Sequence, residues 1–148
     1  MAKRPHLVLS SPDDVEHAFY DALAHADLEA LMACWAEDEE VSCIAPGIEP
    51  LHGREAIQRV FADMFERGMI PVRPVHVHKT DGMQHAVHTV TEHVQVQTDG
   101  GAAVAVIWAT NVYVRTSHGW RLVLHHASTG QLLAETPEDY PSPSTVLH

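Results

Sequence analysis

The second half of the chain is a succession of strand-like segments, and that succession limits the folds open to it. "IPVRPVHVHKT", read with a two-residue period, puts Val75 and Val77 on one face and His76 and His78 on the other. "QHAVHTVTEHVQVQT" alternates and ends at the turn signal Asp99-Gly100-Gly101. "AAVAVIWATNVYVRT" is apolar on both faces, which implies that both are covered. Thr116-Ser117-His118-Gly119 then turns the chain into "WRLVLHHAS".

The first half reads as helices. Ser11 is placed to cap, Pro12 suits a first helical position, and Asp13 and Asp14 face the positive helix end. Val15, Ala18, Phe19 and Ala22 follow on one face. Asp27 caps a second helix with Leu28, Leu31 and Trp35 inward, and Val41 to Gly47 makes a short strand ended by Pro-Gly. A third helix runs from Arg54 to about Arg67, striped by Ile57, Val60, Phe61, Met64 and Phe65 and stopped by Gly68. Helices first and long antiparallel strands afterwards predict an α+β fold, with helices on one face of a bent sheet.

At 148 residues the chain predicts one domain. Residues 11–135 form it, between an N-terminal arm (1–10) and a Pro-rich polar tail (136–148) that buries little. A formal charge of −11 with nine Lys and Arg argues against nucleic acid. No apolar run approaches the ~18–20 residues of a membrane span, and the start lacks a signal-peptide core. Cys34 and Cys43 form neither a metal spacing nor a disulfide framework, which points to a reducing, cytoplasmic setting. Thirteen histidines make the net charge sensitive to pH between about 5 and 8.

Four words in order, "FYDALAHADLEALMACWAEDEEVSC", "PGIEPLHGREAIQRVF", "ATNVYVR" and "GWRLVLHHAS", resemble the nuclear transport factor 2-like superfamily, in particular its SnoaL-like, ketosteroid-isomerase-like branch. The resemblance spans about Phe19 to Ser128. It implies a cystatin-like cone: a strongly curved, mainly antiparallel sheet closed by three N-terminal helices around a deep hydrophobic pocket. It also implies a homodimer through the convex sheet face. The family hosts isomerases, cyclases, dehydratases and binding modules, so the fold alone leaves function open.

A ketosteroid isomerase needs a carboxylate base and an oxyanion hole of a tyrosine and a protonated aspartic acid. Here the tyrosine position falls on Phe19, with Tyr20 one residue off; the base falls on Cys43, and the second acid near Thr110. None of the three is the usual residue, so a conventional isomerase is not expected. Strict alternation along the last strand groups Leu122, Leu124, His126 and Ser128, which match the family's pocket positions. His126 is then the candidate general base or ligand donor, in a pocket of Phe19, Tyr20, Trp35, Cys43, Phe61, Trp108, Thr110 and Leu124. The plainer alternative is a core histidine bonded to a buried carbonyl. Cys43 is either a nucleophile activated by His126 or a small buried hydrophobe. Asn111 and His125 are expected to face the partner subunit.

The pairs His76/His78 and His85/His93 each share a strand face but supply only half a zinc site, so no metal and no cofactor is expected. Arg54 reads as an architectural pin, and "AEDEE" (Ala36 to Glu40) as a solvated loop. The functional expectation is a pocket for a small hydrophobic molecule, with isomerase, dehydratase or cyclase chemistry as one outcome. A non-catalytic binding or dimeric association module is the other.

Overall fold

The computed structural model describes residues 9–37 and 40–134. The arm up to residue 8, the tail from residue 135 and Asp38-Glu39 of the acidic run lie outside the described residues. Helix α1 spans Pro12–His25, with Ser11 Oγ accepting from the Asp14 N–H at 3.1 Å. It ends at Ala26, whose left-handed φ of 53° closes the last turn. Helix α2 (Leu28–Ala33) starts where Asp27 Oδ1 accepts from the Ala30 N–H at 3.1 Å. Helix α3 covers Arg54–Glu66. Arg54 donates to the carbonyls of Met32 (3.1 Å) and Trp35 (2.8 Å), so it does pin the start of α3 to the end of α2.

The strands are β1 (Ser42–Ile44), β2 (Leu51–His52), β3 (Val72–Asp81), β4 (His85–Thr98), β5 (Gly101–Thr116) and β6 (Gly119–Ala134). They form a six-stranded sheet in the order β2-β1-β6-β5-β4-β3, antiparallel except that β1 runs parallel to β6. β2 is an addition to the expected order. Leu9 corrects the expected arm: it is buried, and its carbonyl accepts from the Trp120 N–H at 2.8 Å. That contact explains Gly119, where a Cβ would meet Leu9 O at 2.7 Å.

Three bulges decide which face each side chain takes. Val75, Val123 and Gly130 have no partner in their strand pairings. An extra residue breaks the two-residue period and moves the later side chains to the other face. Val75 therefore turns outward, 39% exposed, instead of sharing the face of Val77. Beyond Val123, Leu124 pairs with Val112, His125 with Asn111 and His126 with Thr110.

The core lies between the helices and the inner face of the sheet. Phe19, Leu31, Trp35, Ile57, Tyr113 and Leu122 are its large, fully buried side chains. Each contributes roughly 1.5–3 kcal/mol of hydrophobic stabilisation.

Candidate functional site

Helix α1 is buried over a wide arc, from Val15 and Glu16 through Phe19, Tyr20, Ala22 and Leu23. Both aromatic residues therefore reach the interior, with rings 5.1 Å apart and edge to face. The sequence spacing sets Tyr20 aside, yet its hydroxyl is the one that enters a polar cluster. On β4, Ala86, His88, Val90 and Glu92 alternate into the core, so two titratable groups sit on an otherwise apolar stripe.

Glu92 centres the first cluster. The Tyr20 hydroxyl donates to Glu92 Oε2 at 2.6 Å, and Asn111 Nδ2 donates to the Tyr20 oxygen at 3.1 Å. Asn111 Oδ1 then faces His125 Nδ1 at 2.6 Å. Because an amide oxygen only accepts, His125 Nδ1 carries the proton and Nε2 keeps its lone pair. That Nε2 lies 4.0 Å from Glu92 Oε2, within ion-pair reach but too far for a hydrogen bond. Burial, with the neighbouring His126 charge adding to it, pushes His125 down to about 4. The neutral ring is the form that fits both the burial and the donated Nδ1 proton, so the long contact is not an ion pair.

Burial pushes the Glu92 carboxyl up to about 7, against the pull of the Tyr20 hydrogen bond. The Tyr20 hydroxyl is raised by burial and by the Glu92 charge, so it stays protonated. The cluster thus holds a carboxyl that exchanges its proton near neutrality beside an imidazole with a fixed tautomer. This pairing suits general acid–base work.

A second cluster lies along the same strand. His88, with no exposed surface, faces Glu16 Oε2 through Nδ1 at 3.0 Å and Asp81 Oδ1 through Nε2 at 2.8 Å. The Tyr113 hydroxyl donates to Glu16 Oε2 at 3.2 Å, and Lys79 Nζ lies 2.9 Å from Asp13 Oδ1. Ligand atoms of Asp13, Glu16 and His88 lie within 4.8 Å of one another, a spacing a metal ion accepts. Lys79 and the imidazole already balance those carboxylates.

The structure divides the sequence-derived pocket. Phe19, Tyr20, Trp35, Cys43 and Phe61 are together in the interior. Trp108, Thr110 and His126 lie on the outer face, and Leu124 pairs with the outward Val112. His125 and His126 therefore exchange their expected directions, because the bulge at Val123 breaks the strict alternation. Asn111 and His125 bond to each other inside the core, so neither faces a partner subunit. Cys43 pairs with His125 in register, but burial, reinforced by the Glu92 charge, pushes its thiol up to about 12. A thiol held protonated is a poor nucleophile. Glu92, Asn111 and His125 were missed as site residues. The β4 alternation, which puts Glu92 on the stripe of Ala86 and Val90, was the signal available for Glu92.

The Trp35 indole N–H is buried and has no hydrogen-bond partner among the described residues, and its ring lies 6.3 Å from that of Phe19. Phe19 in turn contacts the His125 ring at 5.0 Å.

A SnoaL-like domain model matches residues 13–131. A candidate calcium/calmodulin-dependent protein kinase type II association domain from Thiobacillus denitrificans is 37% identical, with a TM-score of 0.74 over 86% of this chain and 100% of that one. A candidate dehydratase of the NTF2-like family from Streptomyces avermitilis is 30% identical, with a TM-score of 0.69 over 78% of this chain and 91% of that one. An NTF2-like protein with a cystatin-like fold from Novosphingobium aromaticivorans shares 20% identity, 78% of this chain and 77% of that one, with a TM-score of 0.62. Among curated proteins nothing matches. Among the described residues no helix is long and apolar enough to cross a membrane.

Proposed function

We propose that this chain, which belongs to the SnoaL-like domain family of the NTF2-like superfamily, takes a small, neutral, hydrophobic molecule into the helix side of its sheet and moves protons on it. The relay from His125 through Asn111 and Tyr20 to Glu92 carries this reading. His125 Nε2 takes a proton from a carbon beside a carbonyl. Protonated Glu92 returns one, to a departing hydroxyl in a dehydration or to a neighbouring carbon in an isomerisation. Tyr20, Glu92 and His125 keep 5%, 5% and 6% of their surface exposed, whereas Asn111 keeps none and stands behind them. The unpartnered Trp35 N–H is a donor that a ligand carbonyl would satisfy. An anion is a poor fit beside the buried Glu92 carboxyl.

Deuterium uptake from D₂O into a panel of hydrophobic ketones and β-hydroxyketones tests this reading. Uptake that falls at least about a hundredfold in His125→Ala and Glu92→Gln, but persists in His126→Ala, is the expected result. No uptake by any compound, together with no thermal shift, would sink it.

A second reading has its own observation. Trp108 stands 49% exposed on the outer face, in a groove lined by strand residues alone. The Thiobacillus denitrificans neighbour is assigned as an association domain, which supports self-association of this chain through that face.

A further inference from the structure

Six of the chain's thirteen histidines fall at outward positions of the sheet: His52 on β2, His76 and His78 on β3, His85 and His93 on β4, and His126 on β6. The acid–base site uses none of them. His76, His78 and His126 line a groove of about 370 Å³ with Thr89, Thr91, Trp108, Thr110 and Ser128. Register puts His78 opposite Thr89, Thr89 opposite Thr110, and Thr110 opposite His126. The two imidazoles therefore stand three strand spacings apart, about 14 Å, as opposite walls over a threonine floor. At that width they cannot share a metal ion within one copy.

The charge of this groove differs from that of the molecule around it. The chain carries 20 Asp and Glu against nine Lys and Arg, a net of −11, which makes two copies repel. The groove lining contains no Asp, Glu, Lys or Arg; its titratable groups are the three histidines. Other charged or titratable groups at outward positions among the described residues are His85 and His93 on β4, Arg73 on β3, Arg121 on β6 and His52 on β2. His125 and Glu92 lie behind the floor on the inner face. A second copy thus meets a groove lining without carboxylates, with Trp108 exposed to pack against it.

We propose that the outer sheet face joins two copies of this chain when its histidines are neutral and releases them when those histidines are protonated. This rests on the self-association reading above. Closing the face brings the imidazoles of both copies into a desolvated contact that holds no carboxylate from either groove lining. Protonation then sets like charges together and adds a desolvation penalty. Histidine is the side chain whose charge changes between pH 8 and 5. If only two of the six groove imidazoles in a pair must lose their protons on contact, the dissociation constant rises at least about a hundredfold from pH 7.5 to 5.5.

Sedimentation velocity of the full chain at pH 7.5 and 5.5, with far-UV circular dichroism at each, tests the proposal. Association at pH 7.5, monomer at pH 5.5 and an unchanged spectrum are expected. The variant carrying His76→Gln, His78→Gln and His126→Gln should stay associated at both pH values, and His126→Gln alone should weaken the pH dependence. Trp108→Glu should be monomeric throughout. A wild-type monomer at both pH values overturns the self-association reading and the switch with it. Equal association at both pH values overturns the switch and leaves the association standing. Glutamine variants that follow the wild-type pH curve also overturn it, by removing the histidines as its cause.

Discussion

Two buried clusters sit four residues apart on β4, and they treat the same two side-chain types in opposite ways. At His88 the imidazole touches a carboxylate through each nitrogen, at 3.0 and 2.8 Å, with no group between them. At Glu92 an amide stands between imidazole and carboxyl. His125 reaches Asn111 at 2.6 Å but Glu92 only at 4.0 Å, and it is held neutral. Direct contact makes an ion cluster that ties α1 to the sheet. Interposed Asn111 and Tyr20 keep imidazole and carboxyl out of direct hydrogen-bond contact. Proximity of acid and base does not settle their charges; the group placed between them does.

The largest difference should appear on removing each imidazole. His88→Ala strands buried Glu16 and should cost about 3–5 kcal/mol in urea unfolding. His125→Ala, which loses one neutral hydrogen bond and some packing, should cost about half as much or less. Equal losses would erase the distinction between the clusters. Next in size is conversion of the relay into an ion pair: Asn111→Asp should raise His125 from about 4 by about 1–3 pH units, followed by NMR titration.

The third test uses pH. Glu92 binds its proton more tightly folded, with its value raised from 4.5 to about 7, than unfolded. Its stabilising contribution is complete below about 4.5 and is lost as pH rises to about 7. His125, lowered from 6.5 to about 4, contributes above 6.5 and loses that contribution as pH falls. The two slopes oppose between about 4.5 and 6.5, so the Glu92 slope stands clear from 6.5 to just above 7. There it amounts to roughly 0.7–1 kcal/mol per pH unit, and Glu92→Gln should flatten it. The smallest effect belongs to the rim of the ion cluster. Lys79 and Asp13 are 43% and 46% exposed, and Lys79→Ala should cost under about 1 kcal/mol.

The order of elements was legible in the sequence because caps and periodicity are local. Ser11, Pro12 and Asp27 start helices where their chemistry says they must, and the Asp99-Gly100 turn joins β4 to β5. The sides taken by β6 were not legible. Gly130 hints at a bulge, since a Cβ there would meet Val106 O at 2.7 Å, but Val123 is an ordinary strand residue and gives no sign. Thr110 was one residue from Asn111 of the buried cluster for a related reason: register against a neighbouring strand is a non-local quantity. The contact from Tyr20 to Glu92 crosses 72 positions and required the fold itself.

A sheet is a partition only one chain thick. His125 and His126 are chemically consecutive, yet one belongs to the molecule's interior and the other to the surface where another copy would rest. The charge on His126 already helps hold its neighbour's proton affinity down. A single peptide bond separates the two rings, so a charge gained on the outer one lowers the proton affinity of the inner one.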